Sequence, residues 1–171
     1  MPGAVAEYRE ALRLNPKNED THVVLGKTLG RMRDWDGAVA EYRQALKLDP
    51  ADGSAHWELG NALTWKGDWE AAIAEEREAL RLNPNLDNAH VLLGAVLGKK
   101  GDWDGEIAEE REALRLNPNN GQAHFSLGFA LEGKGNRAEA LQEYRIAYEL
   151  NPQGHGFREA YERLSQQPTH R

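Results

Sequence analysis

A proline returns every 34 residues in this chain, always behind Asn or Asp: Asn15-Pro16, Asp49-Pro50, Asn83-Pro84, Asn117-Pro118 and Asn151-Pro152. The text around these prolines recurs as well, and residues 73–85 (IAEEREALRLNPN) are repeated letter for letter at 107–119. A period of this length points to a stack of small units that share one elongated core, not to a single globule. Proline lacks an amide hydrogen and disfavours helix in the residue before it, so each Asn/Asp-Pro ends a helix and opens a turn.

Taken in order, residues 4–14 (AVAEYREALRL) have helical spacing, with Val5, Tyr8, Ala11 and Leu12 on one face. Aligned on the prolines, this stretch matches the second half of every later unit, so residues 1–18 form a half repeat. Four complete units follow, 19–52, 53–86, 87–120 and 121–154. Each first helix carries His, Leu, Gly and Leu in one frame, as in His22, Leu25, Gly26 and Leu29 or His124, Leu127, Gly128 and Leu131. Glycine inside a helix costs about 1 kcal/mol against alanine. One kept in every unit therefore marks a helix crossing too close for a side chain. The turns read Asp34-Trp35, Gly67-Asp68-Trp69, Gly101-Asp102-Trp103 and Gly135-Asn136-Arg137, where glycine can end the first helix and Asp or Asn can cap the second. The second helix then brings a small residue such as Ala38, an outward Glu41, Arg43, Ala45 and Leu46. Residues 155–171 leave the pattern. There Phe157, Tyr161 and Leu164 give one apolar face among Arg158, Glu159, Glu162 and Arg163, which reads as a capping helix, with Gln166 to Arg171 as a frayed tail.

Charged residues make up 29% of the chain and the net charge is −7, with basic residues scattered among acidic ones. Nucleic acid and anionic membrane both demand concentrated positive charge and are not expected as partners. There is no cysteine, so neither disulfides nor thiolate metal sites arise. No apolar run is long enough to span a bilayer and the N-terminal stretch lacks a signal-peptide pattern, which leaves cytoplasm as the default location.

The unit resembles the tetratricopeptide repeat. The resemblance covers residues 2–154 and rests on the Leu-Gly pair, on Ala38, Ala72 and Ala140, on Ala45, Ala79, Ala113 and Ala147, and on the terminal prolines. It implies an all-α fold, a right-handed α-solenoid of stacked antiparallel helix pairs closed by a C-terminal capping helix, in one continuous domain. It also implies a concave groove, lined by the first helices, that holds a peptide or helix from another protein. The chain departs from the family at His22, His56, His90 and His124, where an aromatic is common, at Glu76 and Glu110, which replace the aromatic found at Tyr42 and Tyr144, and at Glu106, where the other units have alanine. Whether these carboxylates reach solvent or pair with Lys, Arg or His stays open. The family's clamp for a C-terminal carboxylate is absent, because its positions hold Val23, Lys27, Glu58, Asn88 and Leu92.

On the family frame the groove presents Val23, Lys27 and Arg31, then Trp57, Asn61 and Trp65, then Val91, Ala95 and Lys99, then Phe125 and Phe129. Val23, Trp57, Val91 and Phe125 form an apolar row, widened by Trp65 and Phe129. Aromatic residues on such a face are natural anchors for a partner, although the same spacing also fits core packing for Trp57 and Phe125. Trp35, Trp69 and Trp103 open the second helices, where packing is their expected role.

No catalytic set emerges. Gly26-Lys27-Thr28 lacks the leading glycine of a phosphate loop, and Asp34-Trp35-Asp36-Gly37 lacks the ligand series and closing glutamate of a calcium loop. One histidine per stacked unit puts neighbours about 10 Å apart, too far to share a metal. The sequence therefore reads as a non-enzymatic protein-interaction scaffold with no cofactor or metal, whose partner is a protein or peptide segment. The alternatives are self-assembly into a homo-oligomer through the N-terminal half repeat, or the recognition arm of a larger protein.

Overall fold

The computed structural model describes residues 2–154 and 156–166. Among these residues every element is an α-helix: α1 (Pro2–Leu14), α2 (Glu19–Arg31), α3 (Trp35–Leu48), α4 (Gly53–Lys66), α5 (Trp69–Leu82), α6 (Asp87–Lys99), α7 (Trp103–Leu116), α8 (Gly121–Gly133), α9 (Arg137–Leu150) and α10 (Phe157–Gln166). The sequence expectation of one continuous domain meets a chain that divides between Pro84 and Asn85 into two compact units. In the first, α2 with α3 and α4 with α5 form helical hairpins, and α1 packs on α2. In the second, α6 with α7 and α8 with α9 do the same, and α10 covers α9.

The local chemistry at the helix ends explains these boundaries. The Asp34 carboxylate accepts from the Gly37 amide at 3.0 Å and the Asp102 carboxylate from the Gly105 amide at 2.9 Å, so each caps the helix that follows. Asp34 belongs to the calcium-like segment Asp34-Trp35-Asp36-Gly37, and Asp102 to its counterpart Asp102-Trp103-Asp104-Gly105. Their companions Asp36 and Asp104 pair with Lys66 and Lys134. At the other end of the hairpin turn, Gly67, Gly101 and Gly135 have φ of 86°, 81° and 83°, the left-handed conformation that glycine adopts without penalty.

The equivalent residue after α2 is Arg33, with φ 62°, the one non-glycine residue with positive φ among those described. A left-handed residue carrying a Cβ costs about 1 kcal/mol. Arg33→Gly should therefore raise the midpoint of chemical denaturation by an amount equivalent to about 1 kcal/mol; an unchanged or lower midpoint would show that the arginine side chain compensates the strain.

The mid-helix glycines sit where helices touch. A Cβ on Gly26 would lie 2.7 Å from the Tyr42 ring, and one on Gly128 would lie 2.8 Å from the Tyr144 ring. In the two middle hairpins the tyrosine is replaced. Glu76 lies against Gly60, and Glu110 against Gly94 at 2.9 Å from the built Cβ position. Both glutamates are fully buried, and their carboxylate oxygens have no hydrogen-bond partner among the described residues. Neither of the routes left open by the sequence is taken: they neither reach solvent nor pair with a base. Burial is the main reason their acidity changes, assisted by neighbouring carboxylates, and the carboxyls are pushed up to about 9 for Glu76 and about 10 for Glu110. Both are neutral acids at pH 7.

The histidines form a repeated clasp. Nδ1 of His22, His56, His90 and His124 lies 2.7, 2.7, 2.7 and 2.6 Å from a carboxylate oxygen of Glu41, Glu75, Glu109 and Glu143 respectively. Nε2 also meets a turn carbonyl, Pro16 for His22, Pro50 for His56 and Pro118 for His124. Glu41 and its equivalents thus turn inward, contrary to the outward placement expected from the sequence, because each half-buried carboxylate satisfies a ring that would otherwise lack a partner. At His124 burial opposes the charged ring, but the hydrogen bonds to Glu143 and Pro118 outweigh it and hold the ring above the usual histidine range.

The outer helices differ from the internal ones in what they leave exposed. In α1, Val5 is buried and Tyr8 and Leu12 pack against the core, but Ala11 is exposed and Leu14 is 71% exposed. The counterparts of Ala11, namely Ala45, Ala79, Ala113 and Ala147, are all buried. In α10, Phe157, Ala160 and Leu164 are buried, while Tyr161 stacks on Tyr148 at 6.1 Å. Gln166 closes this helix, and residues 167–171 of the expected tail lie outside the described residues.

Candidate functional site

Two clefts open beside the first helices of the hairpins, one in each compact unit. The cleft of the first unit has a volume of about 540 Å³ and runs between α2, the start of α3 and α4. Lys27, Arg31, Asn61 and Trp65, all expected from the sequence, line it. Trp35 forms a wall by stacking on Trp65, with ring centroids 5.6 Å apart and planes 8° from parallel. Glu58 organises the floor, accepting a hydrogen bond from the Tyr42 hydroxyl at 3.3 Å and pairing with Lys27 at 3.2 Å. Arg31 and Arg33 remain as further cations on this cleft. Trp65 is 67% exposed, far more than packing alone would leave for an indole.

The cleft of the second unit has a volume of about 410 Å³, between α6, α7 and α8. Ala95, Lys99, Phe125 and Phe129 line it, again as expected, together with Gly98, Trp103, Glu106 and Ser126. Phe129 is 51% exposed and meets the Trp103 indole edge-on at 5.8 Å. Phe125 does two jobs, bordering the cleft and packing on Phe157 at 4.9 Å and Tyr144 at 5.5 Å.

The remaining expected site residues lie elsewhere. Val23 packs against the core of the first unit, and Trp57 and Val91 are half-buried; none of the three lines either cleft. The Trp57 indole Nε1 is buried with no hydrogen-bond partner among the described residues. Sequence reasoning missed Trp35 and Trp103 as cleft walls, because the first position of a second helix looks like pure packing. Both do pack against the core, but one ring face or edge of each is left to the cleft. It also missed Glu106 as a cleft residue. The usable signal was a reciprocal exchange: unit three has Gly98 where unit four has Glu132, and Glu106 where unit four has Ala140. Among the described residues no group of three His, Asp or Glu is placed to hold a metal ion, and no helix is long and apolar enough to cross a membrane.

Helical hairpins repeated at a fixed period, with aromatic clefts beside their first helices, define a repeat-built interaction scaffold. The chain belongs to the tetratricopeptide repeat family, whose model matches residues 23–87 and again 91–155. It is a protein-interaction scaffold of that type; proteins of this family bind protein or peptide partners and are generally not enzymes. Among solved structures, MamA is similar at 30% identity over 88% of each chain, with a TM-score of 0.82. PilF of Pseudomonas aeruginosa shares the fold at 22% identity, over 96% of this chain and 77% of that one, with a TM-score of 0.84. YrrB, described as a tetratricopeptide protein with an unusual peptide-binding site, shares it at 24% identity over 92% and 81% of the two chains, with a TM-score of 0.75. No curated protein sequence matches the chain.

Proposed function

We propose that this chain is a non-enzymatic scaffold that docks an extended or helical segment of a partner protein against the first helices of its repeats. The observation that carries this reading is the pair of clefts with Trp65 and Phe129 standing at them largely exposed. Large aromatic rings left wet are unfavourable in the free protein and are the residue types that dominate binding energy once covered. Lys27, Arg31, Asn61, Ala95, Lys99 and Phe125 complete the docking surface in this reading. Neither cofactor, nucleic acid nor membrane takes part. The peptide-binding site named for YrrB is consistent with such use of the fold.

Peptides enriched from a displayed random library by the parent chain should bind Trp65→Ala or Phe129→Ala variants at least about tenfold more weakly, the usual scale for an aromatic anchor. Circular dichroism must show both variants still folded. Undiminished binding by both would place the docking surface elsewhere.

A second reading, assembly of copies through α1, draws on the exposed Ala11 and Leu14. Sedimentation over a wide concentration range tests it: a mass that stays monomeric throughout, or Leu14→Glu having no effect on an observed oligomer, would remove it.

A further inference from the structure

The cleft of the second unit holds an acid that its own surroundings do not satisfy. Glu106 is only 3% exposed, and its Oε2 has no hydrogen-bond partner among the described residues. It stands in the register position that Ala38, Ala72 and Ala140 occupy in the other units, so the hairpin needs no carboxylate there for packing. Room for it comes from Gly98, since a Cβ at that position would overlap the Glu106 carboxyl. Glu76 and Glu110 are also buried acids, but neither borders the clefts described above, whereas Glu106 does. The other walls are nearly apolar: Ala95, Gly98, Trp103, Phe125 and Phe129, with the Ser126 hydroxyl and an exposed Lys99.

We propose that this cleft receives the cationic side chain of a partner segment, a lysine or arginine, with its charge at Glu106 and its alkyl stem against Trp103, Phe125 and Phe129. The proposal rests on the docking function above and supplies the chemistry of one anchor. An anionic side chain would face the Glu106 carboxyl, and a purely apolar one would leave it unpaired and still buried. A long cationic side chain satisfies both halves of the site, because its methylene stem covers aromatic surface while its head pairs with the carboxylate and the ring faces. Burial pushes the Glu106 carboxyl up to about 7, so an arriving cation meets a group that ionises close to neutral pH. Asp102, Asp104, Glu109 and Glu110 all lie within four residues of Glu106 along α7 and its cap, and Lys99 at the end of α6 is the cation that lines the same cleft. The first unit's cleft has Ala38 at the equivalent position and is lined by Lys27, Arg31 and Arg33 with Glu58 paired to Lys27, so it lacks this unpaired acid.

The test uses the full chain, labelled with ¹⁵N, and two probes of similar length, n-butylammonium and 1-pentanol, at matched ionic strength. Butylammonium should shift the Gly98 amide and Trp103 indole resonances saturably. In Glu106→Gln its apparent Kd should rise about tenfold or more, as for loss of a buried charged partner, with pentanol unaffected. Glu106→Ala, which installs the residue found at the equivalent positions, should behave as Glu106→Gln does. Butylammonium binding that is absent from the parent, or equal in parent and Glu106→Gln, would overturn the proposal. A displayed random dodecapeptide library separates this failure from failure of the docking function. Enrichment of peptides without a basic residue whose binding is weakened by Phe129→Ala would overturn the cation assignment and leave docking intact. Glu106-dependent butylammonium binding with no peptide enriched would keep the pocket and remove docking.

Discussion

Replacing Glu76 and Glu110 together by glutamine should leave stability at pH 4 within about 0.5 kcal/mol of the parent and raise it by about 2 kcal/mol or more at pH 8. The sign follows from the raised carboxyls. In the unfolded chain both ionise near the usual carboxylate value, whereas in the folded protein they keep their protons up to about pH 9 and about pH 10. Between those limits the folded state binds more protons, so each group lowers stability as pH rises, by up to about 1.4 kcal/mol per pH unit. Below the unfolded value both states are protonated and the effect vanishes. Glutamine is neutral throughout, close in shape and equally short of partners in the same place, so the difference between variant and parent isolates ionisation from packing. Urea unfolding at several pH values reads it. A variant whose advantage does not grow with pH would show that the two carboxyls find hydration or a counter-charge in the folded protein.

Gly128→Ala should destabilise the second unit by about 2–3 kcal/mol despite alanine's higher helix propensity. The new Cβ would lie 2.8 Å from the Tyr144 ring and 3.2 Å from the Ala140 carbonyl oxygen, and neither can retreat easily. Tyr144 is fully buried and hydrogen-bonded through its hydroxyl to Glu132 at 3.0 Å, and the carbonyl belongs to the backbone of α9. Overpacking of this kind typically costs about 1–3 kcal/mol. Gly3 provides the control: it lies in α1 with nothing near its built Cβ position, so Gly3→Ala should gain up to about 1 kcal/mol. A gain at both positions in denaturant titrations would refute the close-packing account of the repeated Leu-Gly frame.

Most of the fold was legible because each boundary has a local chemical cause. The Asn/Asp-Pro steps end the second helices, the glycines and capping aspartates mark the hairpin turns, and the glycine inside each first helix registers a crossing. Side-chain direction around the second helix was harder. Glu41 and its equivalents look like solvated surface in any single repeat, and only the presence of a histidine 19 residues earlier in every copy hints at a pair. Arg33 shows the opposite failure, since a turn written with glycine three times tolerates a strained arginine once. At the site, the exposed anchors Trp65 and Phe129 followed from their helical register. The walls Trp35 and Trp103 did not, because the sequence cannot tell which edge of a packing indole stays open.

Hydrogen exchange of the full chain, with and without the strongest peptide selected by display, tests the docking function most directly. The account predicts slowed exchange along the cleft-forming stretches 27–35 and 58–65 in the first unit, or 95–103 and 125–129 in the second. Slowing confined to the outer parts of the second helices around Arg43, Arg77 and Arg111, or to α1 around Leu14, would contradict it.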